Sequence, residues 1–153
     1  MDEDLNFQNH YETSEETRMA NVVLLKSIGF VISDNRGWSD ISKIMCPWEQ
    51  EINIEAKGGK KGLSRDDRNL WAGLGQAFND KVNMGLDSWI ISGSPKEVAI
   101  PGPTSARGRS VTNYIQLEFV AGIIHISDIP RVFSNKEAYE NEKQFQKSRW
   151  INK

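Results

Sequence analysis

The sequence predicts an α/β (α+β) domain with a mixed central β-sheet flanked by helices. Three observations predict it. Two amphipathic runs carry N-terminal caps, around residues 13–28 and 64–85. Between and after them lie short apolar or alternating runs of strand length. The resulting order is helix, three strands, helix, strand, then a small β unit and a closing helix, a pattern that buries a sheet beneath helices.

Residues 1–12 are polar and expected to be a flexible segment ahead of one domain spanning residues 13–153. Thr13 and Glu16 have capping-box spacing in front of Met19, Ala20, Val22, Val23, Leu24, Leu25 and Ile28, which starts the first helix. Gly29 stops it, since glycine tolerates the left-handed C′ position, and Phe30 packs back on the last turn. A short strand follows at residues 30–32, then a turn at Asp34-Asn35-Arg36-Gly37. Two strands, residues 38–45 and 51–57, are joined by a turn through Cys46-Pro47-Trp48, because proline interrupts the ladder.

Gly58-Gly59-Lys60-Lys61-Gly62 reads as a flexible basic loop. Ser64 and Asp67 cap a second helix whose Leu70, Leu74, Phe78 and Val82 recur every four residues. Gly73 and Gly75 inside it are expected to permit close packing, since each costs about 1 kcal/mol against alanine. Residues 88–92 form a buried strand. Residues 93–110, rich in Gly, Pro and Ser, are expected to be a long surface loop or short edge strand. Strands at 113–120 and 123–127 form a hairpin around Ala121-Gly122, and Ser134 with Glu137 caps the final polar helix. Trp38, Trp71 and Trp89 are assigned to the core, and Trp48 to core or interface packing.

Composition narrows the class. The chain has 153 residues with 38% hydrophobic and 26% charged residues, enough for one packed core. One cysteine excludes an internal disulfide and a cysteine-rich zinc site, and His10 and His125 stand apart. An acidic start and the absence of a long apolar run point to the cytoplasm. Net charge is −2, so any nucleic-acid partner must meet a local basic patch. Residues 58–62 lack P-loop spacing, Gly73-Leu74-Gly75 lacks the third glycine of a dinucleotide fingerprint, and no G-x-S-x-G elbow occurs.

The chemistry-bearing feature is Glu55-Ala56-Lys57. Glu51, Asn53, Glu55 and Lys57 alternate with Ile52, Ile54 and Ala56, so carboxylate and ammonium share one strand face. A carboxylate holds Mg²⁺, a hard ion with oxygen ligands, and a neighbouring lysine orients a water or meets the charge that develops on a phosphate. Asp40 reaches the same ion if its strand pairs with the next as a hairpin, and Asp34 in the turn is a rival first ligand. Taken alone, the triplet equally fits a solvated strand face carrying an ordinary salt bridge.

The run from Glu15 and Glu16 through Gly29-Phe30-Val31-Ile32, Ser39-Asp40-Ile41 and Ile54-Glu55-Ala56-Lys57-Gly58 to Gln76 resembles the core of the PD-(D/E)xK (restriction-endonuclease-like) nuclease superfamily. It is most similar to small members such as Holliday-junction resolvases and phage or mobile-element endonucleases. The resemblance spans roughly residues 13–92 and departs at Ser39, where the family favours proline. It implies a restriction-endonuclease-like sheet and a Mg²⁺-dependent endodeoxyribonuclease, with Mn²⁺ as substitute. It places Asp40, Glu55 and Ala56 at the metal, Lys57 at the attacking water, and Glu16 (or Glu15) and Gln76 in assisting roles.

Lys60, Lys61, Arg65 and Arg68 concentrate positive charge just after the triplet, and Arg107 and Arg109 form a second basic loop, both suited to DNA phosphates. Cutting both strands of a duplex or junction implies a homodimer or larger symmetric assembly. Two other readings stay open at this point: a catalytically silent nucleic-acid-binding module, and a protein-interaction subunit whose triplet is a salt bridge.

Overall fold

The computed structural model describes residues 14–32, 41–57, 75, 85–94, 100, 102 and 104–151. Among them run α1 (Ser14–Ser27), β1 (Val31–Ile32), β2 (Ile41–Met45), β3 (Glu51–Lys57), β4 (Asp87–Ser92), α2 (Ala106–Gln116), β5 (Gly122–His125), a 3₁₀ turn (Ile126–Asp128), α3 (Ile129–Val132) and α4 (Lys136–Ile151). The described strands make one sheet in the order β1-β2-β3-β4-β5. The β1–β2 and β2–β3 pairs are antiparallel, whereas β3–β4 and β4–β5 are parallel. The sheet is therefore mixed, and helices pack against it, as the sequence pattern predicts. None of the described helices is long and apolar enough to cross a membrane.

α1 ends as its sequence dictates. Gly29 sits at φ 100°, its N–H reaches the Lys26 carbonyl at 3.2 Å, and the Phe30 N–H reaches the Leu25 carbonyl at 3.0 Å. That double closure is the Schellman stop. Thr13, the expected cap, lies outside the described residues. The Cys46–Gln50 link is the expected turn: the Cys46 N–H bonds the Gln50 carbonyl at 2.8 Å and the Glu49 N–H bonds the Cys46 carbonyl at 2.9 Å.

Two cores lie on opposite faces of the sheet. Ile52, Ile54, Trp89, Ile91 and Ile124 pack with Leu24 and Leu25 of α1 and with Ile129, Val132 and Phe133. Ile90 and Ile123 alternate to the other face, where Val111 and Ile115 of α2 and Trp150 of α4 cover them. Trp89 is fully buried, as expected of a core tryptophan. Trp48 packs edge-on against Phe30 at 6.0 Å and lies 5.4 Å from the Tyr139 ring. Trp38 and Trp71 lie outside the described residues.

Three expectations are corrected. Residues 106–116 form α2 rather than loop and strand. Ser105 starts that helix by accepting the Gly108 N–H at 3.0 Å, and Val111 and Ile115 supply its buried stripe. Its stop is a second Schellman closure, with bonds from Phe119 N–H to the Tyr114 carbonyl at 2.9 Å and from Glu118 N–H to the Ile115 carbonyl at 3.0 Å. The left-handed residue there is Glu118, at φ 64°, where glycine is the usual signal. Second, β5 pairs in parallel with β4 rather than as a hairpin, and residues 126–128 turn away as 3₁₀ helix. Third, the cap of α4 is Asn135, whose Oδ1 accepts the Ala138 N–H at 2.8 Å, rather than Ser134. Gly75 is helical, and among the described residues nothing lies within 4 Å of a Cβ placed on it.

The β5 edge is closed by a side chain. Gln146 of α4 presents its amide to the strand, Oε1 accepting the Ile123 N–H and Nε2 donating to the Ile123 carbonyl, both at 3.3 Å. The amide thus stands in for a further strand on an edge that otherwise invites pairing with another chain. Gly122 makes room for it: a Cβ there would lie 2.5 Å from Gln146 Cγ and 2.8 Å from Trp89 Cζ3.

At the other end of α4, Asp87 Oδ2 accepts from Tyr139 Oη at 2.8 Å, Lys143 Nζ at 2.9 Å and Gln50 Nε2 at 3.4 Å. Trp89 Nε1 donates to Tyr139 Oη at 3.1 Å. This network ties α4 to the beginning of β4.

Gly122→Ala is expected to cost about 1–3 kcal/mol in chemical denaturation, because the Gln146 side chain held on Ile123 and the buried Trp89 indole must both give way. Alkaline stability follows from the same region. Burial, and secondarily the Asp87 charge, pushes the Cys46 thiol from 9.0 up to about 12, and the same two causes raise Tyr139 above its ordinary 10.0. Both groups bind their protons more tightly when folded, so their stabilisation is complete below the unfolded values and is lost as pH rises through the folded ones. The urea midpoint is expected to fall from pH 9 towards 12, and native Cys46 to resist thiol reagents at pH 8.

Candidate functional site

β3 lies between an antiparallel neighbour on one side and a parallel one on the other. The β3–β4 register pairs Asn53 with Ser88, Glu55 with Ile90 and Lys57 with Ser92. β5 continues the rows, pairing Ile90 with Ile123 and Ser92 with His125. Lys57, Ser92 and His125 therefore form a line across the carboxyl ends of three parallel strands. That is the end at which open parallel sheets bind ligands.

Glu55 is fully buried. The expected half-buried strand, polar on one face, is instead buried on both faces from Ile52 to Ala56. Glu55 therefore does not stand on a solvated strand face. Asn53, two residues earlier and also buried, donates from Nδ2 to Glu55 Oε2 at 3.1 Å and to Ser88 Oγ at 3.3 Å. Lys57 is less enclosed, at the strand end, and its carbonyl accepts the Gly93 N–H at 2.7 Å. Glu55 and Lys57 share a face, with Cα atoms roughly 6.6 Å apart.

The chain beyond β4 is pinned over the end of β5. The Ser94 N–H bonds Ser92 Oγ at 3.1 Å, and the Ser94 carbonyl lies 3.0 Å from His125 Nε2. Nδ1 of His125 accepts the Ser127 N–H at 3.2 Å and sits 2.8 Å from Ser127 Oγ. Since Nδ1 must accept, Nε2 carries the proton and donates to Ser94. His125 thus locks the strand ends together, with both nitrogens engaged.

α2 aims at the same end. Its last turn, at Ile115, meets Asp87 across a small cleft at the start of β4. An 11-residue helix rises about 16 Å, which carries its first turn towards Ser92. Arg107 and Arg109 therefore belong to the first turn of α2 rather than to a loop. The Arg109 side chain is exposed and donates from Nη1 to the Thr104 carbonyl at 2.8 Å.

α1 covers the face bearing Ile52 and Ile54, opposite that of Glu55. It feeds through Gly29 and Phe30 into β1, which pairs with Ile44 and Met45, themselves opposite the Ile52 and Glu51 end of β3. Its N-terminal turn therefore points to the Lys57 end, placing exposed Glu16 at the right end of the sheet but across it from the Glu55 side chain. Asp34, Asp40, Gln76, Lys60, Lys61, Arg65 and Arg68 lie outside the described residues. Ile41, bonded directly to Asp40, is described and sits opposite Ile54. The hairpin required for Asp40 to approach Glu55 is therefore present, with an irregularity in register between Ile41 and Ile44.

Among the described residues, no group of three or more His, Cys, Asp or Glu side chains converges as a metal cage. Mg²⁺ does not need one, since it is held through one or two carboxylates with water and phosphate oxygens completing the octahedron. Glu55, with a hard oxygen donor at a strand end, fits such a half-built site. Asn53 and Ser88 carry polar function that the sequence reading missed. The available signal was alternation, which puts Asn53 on the Glu55 face. No family model, curated protein or solved structure matches the chain.

Proposed function

We propose that the protein is a Mg²⁺-dependent endonuclease that hydrolyses DNA phosphodiester bonds at a site built on Glu55, Lys57 and Asp40. The observation that carries this reading is the complete burial of Glu55 on the middle strand, two residues before a lysine at the carboxyl end of parallel strands. Burying a carboxylate costs several kcal/mol, so an apolar residue would serve the sheet better there. Violations of that kind concentrate where chemistry is done.

A helix followed by three antiparallel strands, the third carrying Glu55 and Lys57, is compatible with the residue run on which the resemblance to PD-(D/E)xK nucleases rests. Asp40 is one covalent step, about 3.8 Å of backbone, from Ile41. Its neighbour Ile41 pairs with Ile54, the residue before Glu55, which supports assigning both carboxylates to one site.

Glu55 and Asp40 would hold Mg²⁺, which when bound would supply a Lewis acid for the phosphate and an acidified water. Glu55 holds a fixed oxygen donor inside the sheet. Lys57, at the strand end, orients the attacking water and meets the negative charge growing on the phosphate. The arginines of the first α2 turn, and the basic run at Lys60, Lys61, Arg65 and Arg68, meet neighbouring phosphates and set the register of the DNA. Two such sites in a symmetric pair would cut both strands.

Incubation of supercoiled plasmid and a four-way junction with the protein in Mg²⁺, Mn²⁺ or EDTA tests the reading. Wild type is expected to cleave with either metal and not in EDTA. Glu55→Ala and Lys57→Ala are expected to lose roughly 10³-fold in rate while still binding DNA. Metal-independent binding without cleavage would make the protein a binding module, and cleavage undiminished in Glu55→Ala would remove the site.

A further inference from the structure

We infer that Asn53, anchored by Ser88, is a positioning residue that fixes the Glu55 carboxylate for metal binding. This rests on the nuclease reading of the same site. It adds a residue pair to which neither the sequence motif nor the resemblance assigns a role.

The geometry is specific. Asn53 stands two residues before Glu55 on one face of β3 and has 3% exposure. Its Nδ2 is shared between Glu55 Oε2 at 3.1 Å and Ser88 Oγ at 3.3 Å. Ser88 is the register partner of Asn53 on β4 and is equally enclosed, at 1% exposure. The amide is therefore clamped from the neighbouring strand before it meets the carboxylate.

A glutamate has three side-chain torsions, and an ordinary strand does not select among their rotamers. A donor fixed on the same face selects those that place Oε2 against Nδ2. The torsions of Glu55 are thereby set before any ligand arrives, so binding does not have to order them. Hydrogen bonds to a ligating carboxylate from outside the coordination sphere characteristically govern metal affinity by 10–100-fold.

An alternative role for Asn53 is plain sheet stabilisation, filling a polar gap between β3 and β4. The two roles separate experimentally. A packing role makes Asn53→Ala and Ser88→Ala lower thermal stability and leaves metal affinity alone. A positioning role makes both weaken metal binding through one path, so the double variant is little worse than Asn53→Ala.

Calorimetric titration of Mn²⁺ into the full chain without DNA reads this directly, with thermal unfolding and DNA binding in EDTA measured on the same samples. Wild type is expected to bind Mn²⁺, and Glu55→Ala to abolish that binding. Asn53→Ala is expected to weaken it by at least about tenfold, and Ser88→Ala by a smaller factor in the same direction, with DNA affinity in EDTA unchanged. The Mg²⁺ concentration for half-maximal cleavage should rise by matching factors while the rate at saturating metal changes less. Should Asn53→Ala fail to fold, Ser88→Ala carries the test, since it leaves Asn53 and Glu55 in place. Mn²⁺ affinity unchanged in both variants, with Glu55→Ala still abolishing binding, overturns the role of Asn53 and leaves the nuclease reading standing. Absence of Mn²⁺ binding in wild type overturns both.

Discussion

A carboxylate enclosed at the middle of a sheet is the constraint around which this molecule is arranged. Glu55 has no exposed surface, and its strand pairs antiparallel on one side and parallel on the other. Placing a charge there forfeits the hydration that an exposed glutamate keeps, and the surroundings must return part of it through directed donors. Asn53 is one such donor, held in turn by Ser88. The apolar alternates Ile52 and Ile54 hold the same strand against α1, so the polar face cannot slide without moving the core.

The rest of the fold serves rigidity at that strand. Parallel strands give a common carboxyl end, and the line Lys57–Ser92–His125 shows the three ends level with one another. His125 and Ser94 bind the ends of β4 and β5 together. Gln146 occupies the open edge of β5, and the Asp87–Tyr139–Lys143 cluster fixes the opposite end of α4. Sites carried on strands braced in this way hold their geometry more closely than sites on loops.

Much of this was legible in the sequence, for identifiable reasons. The limits of β3, the turn at Cys46 and the stop of α1 at Gly29 follow from local chemistry: alternation, a proline, a left-handed glycine. The Glu55-Ala56-Lys57 triplet was legible as a shared face, and its pairing partner β2 was legible as a hairpin. α2 was not, because its stop uses Glu118 where glycine is the familiar sign. Thr112 and Tyr114 within it, and Phe119 and Val120 just beyond it, also favour strands when considered one at a time, and packing of Val111 and Ile115 on the sheet decides otherwise. The depth of Glu55 was equally out of reach, since a strand of alternating polar residues reads as half-exposed until its second covering layer is known. The parallel pairing of β5 and the glutamine on its edge depend on contacts far apart in the chain, which no local pattern carries.

The central claim is that Glu55 belongs to a metal centre, and a crystal of the protein grown or soaked with Mn²⁺ tests it most directly. The account expects an anomalous scattering peak at coordination distance, about 2.1 Å, from a Glu55 carboxylate oxygen, with an Asp40 oxygen in the same sphere. A well-ordered Glu55 with no peak beside it, at Mn²⁺ concentrations that fill sites elsewhere on the protein, would contradict it.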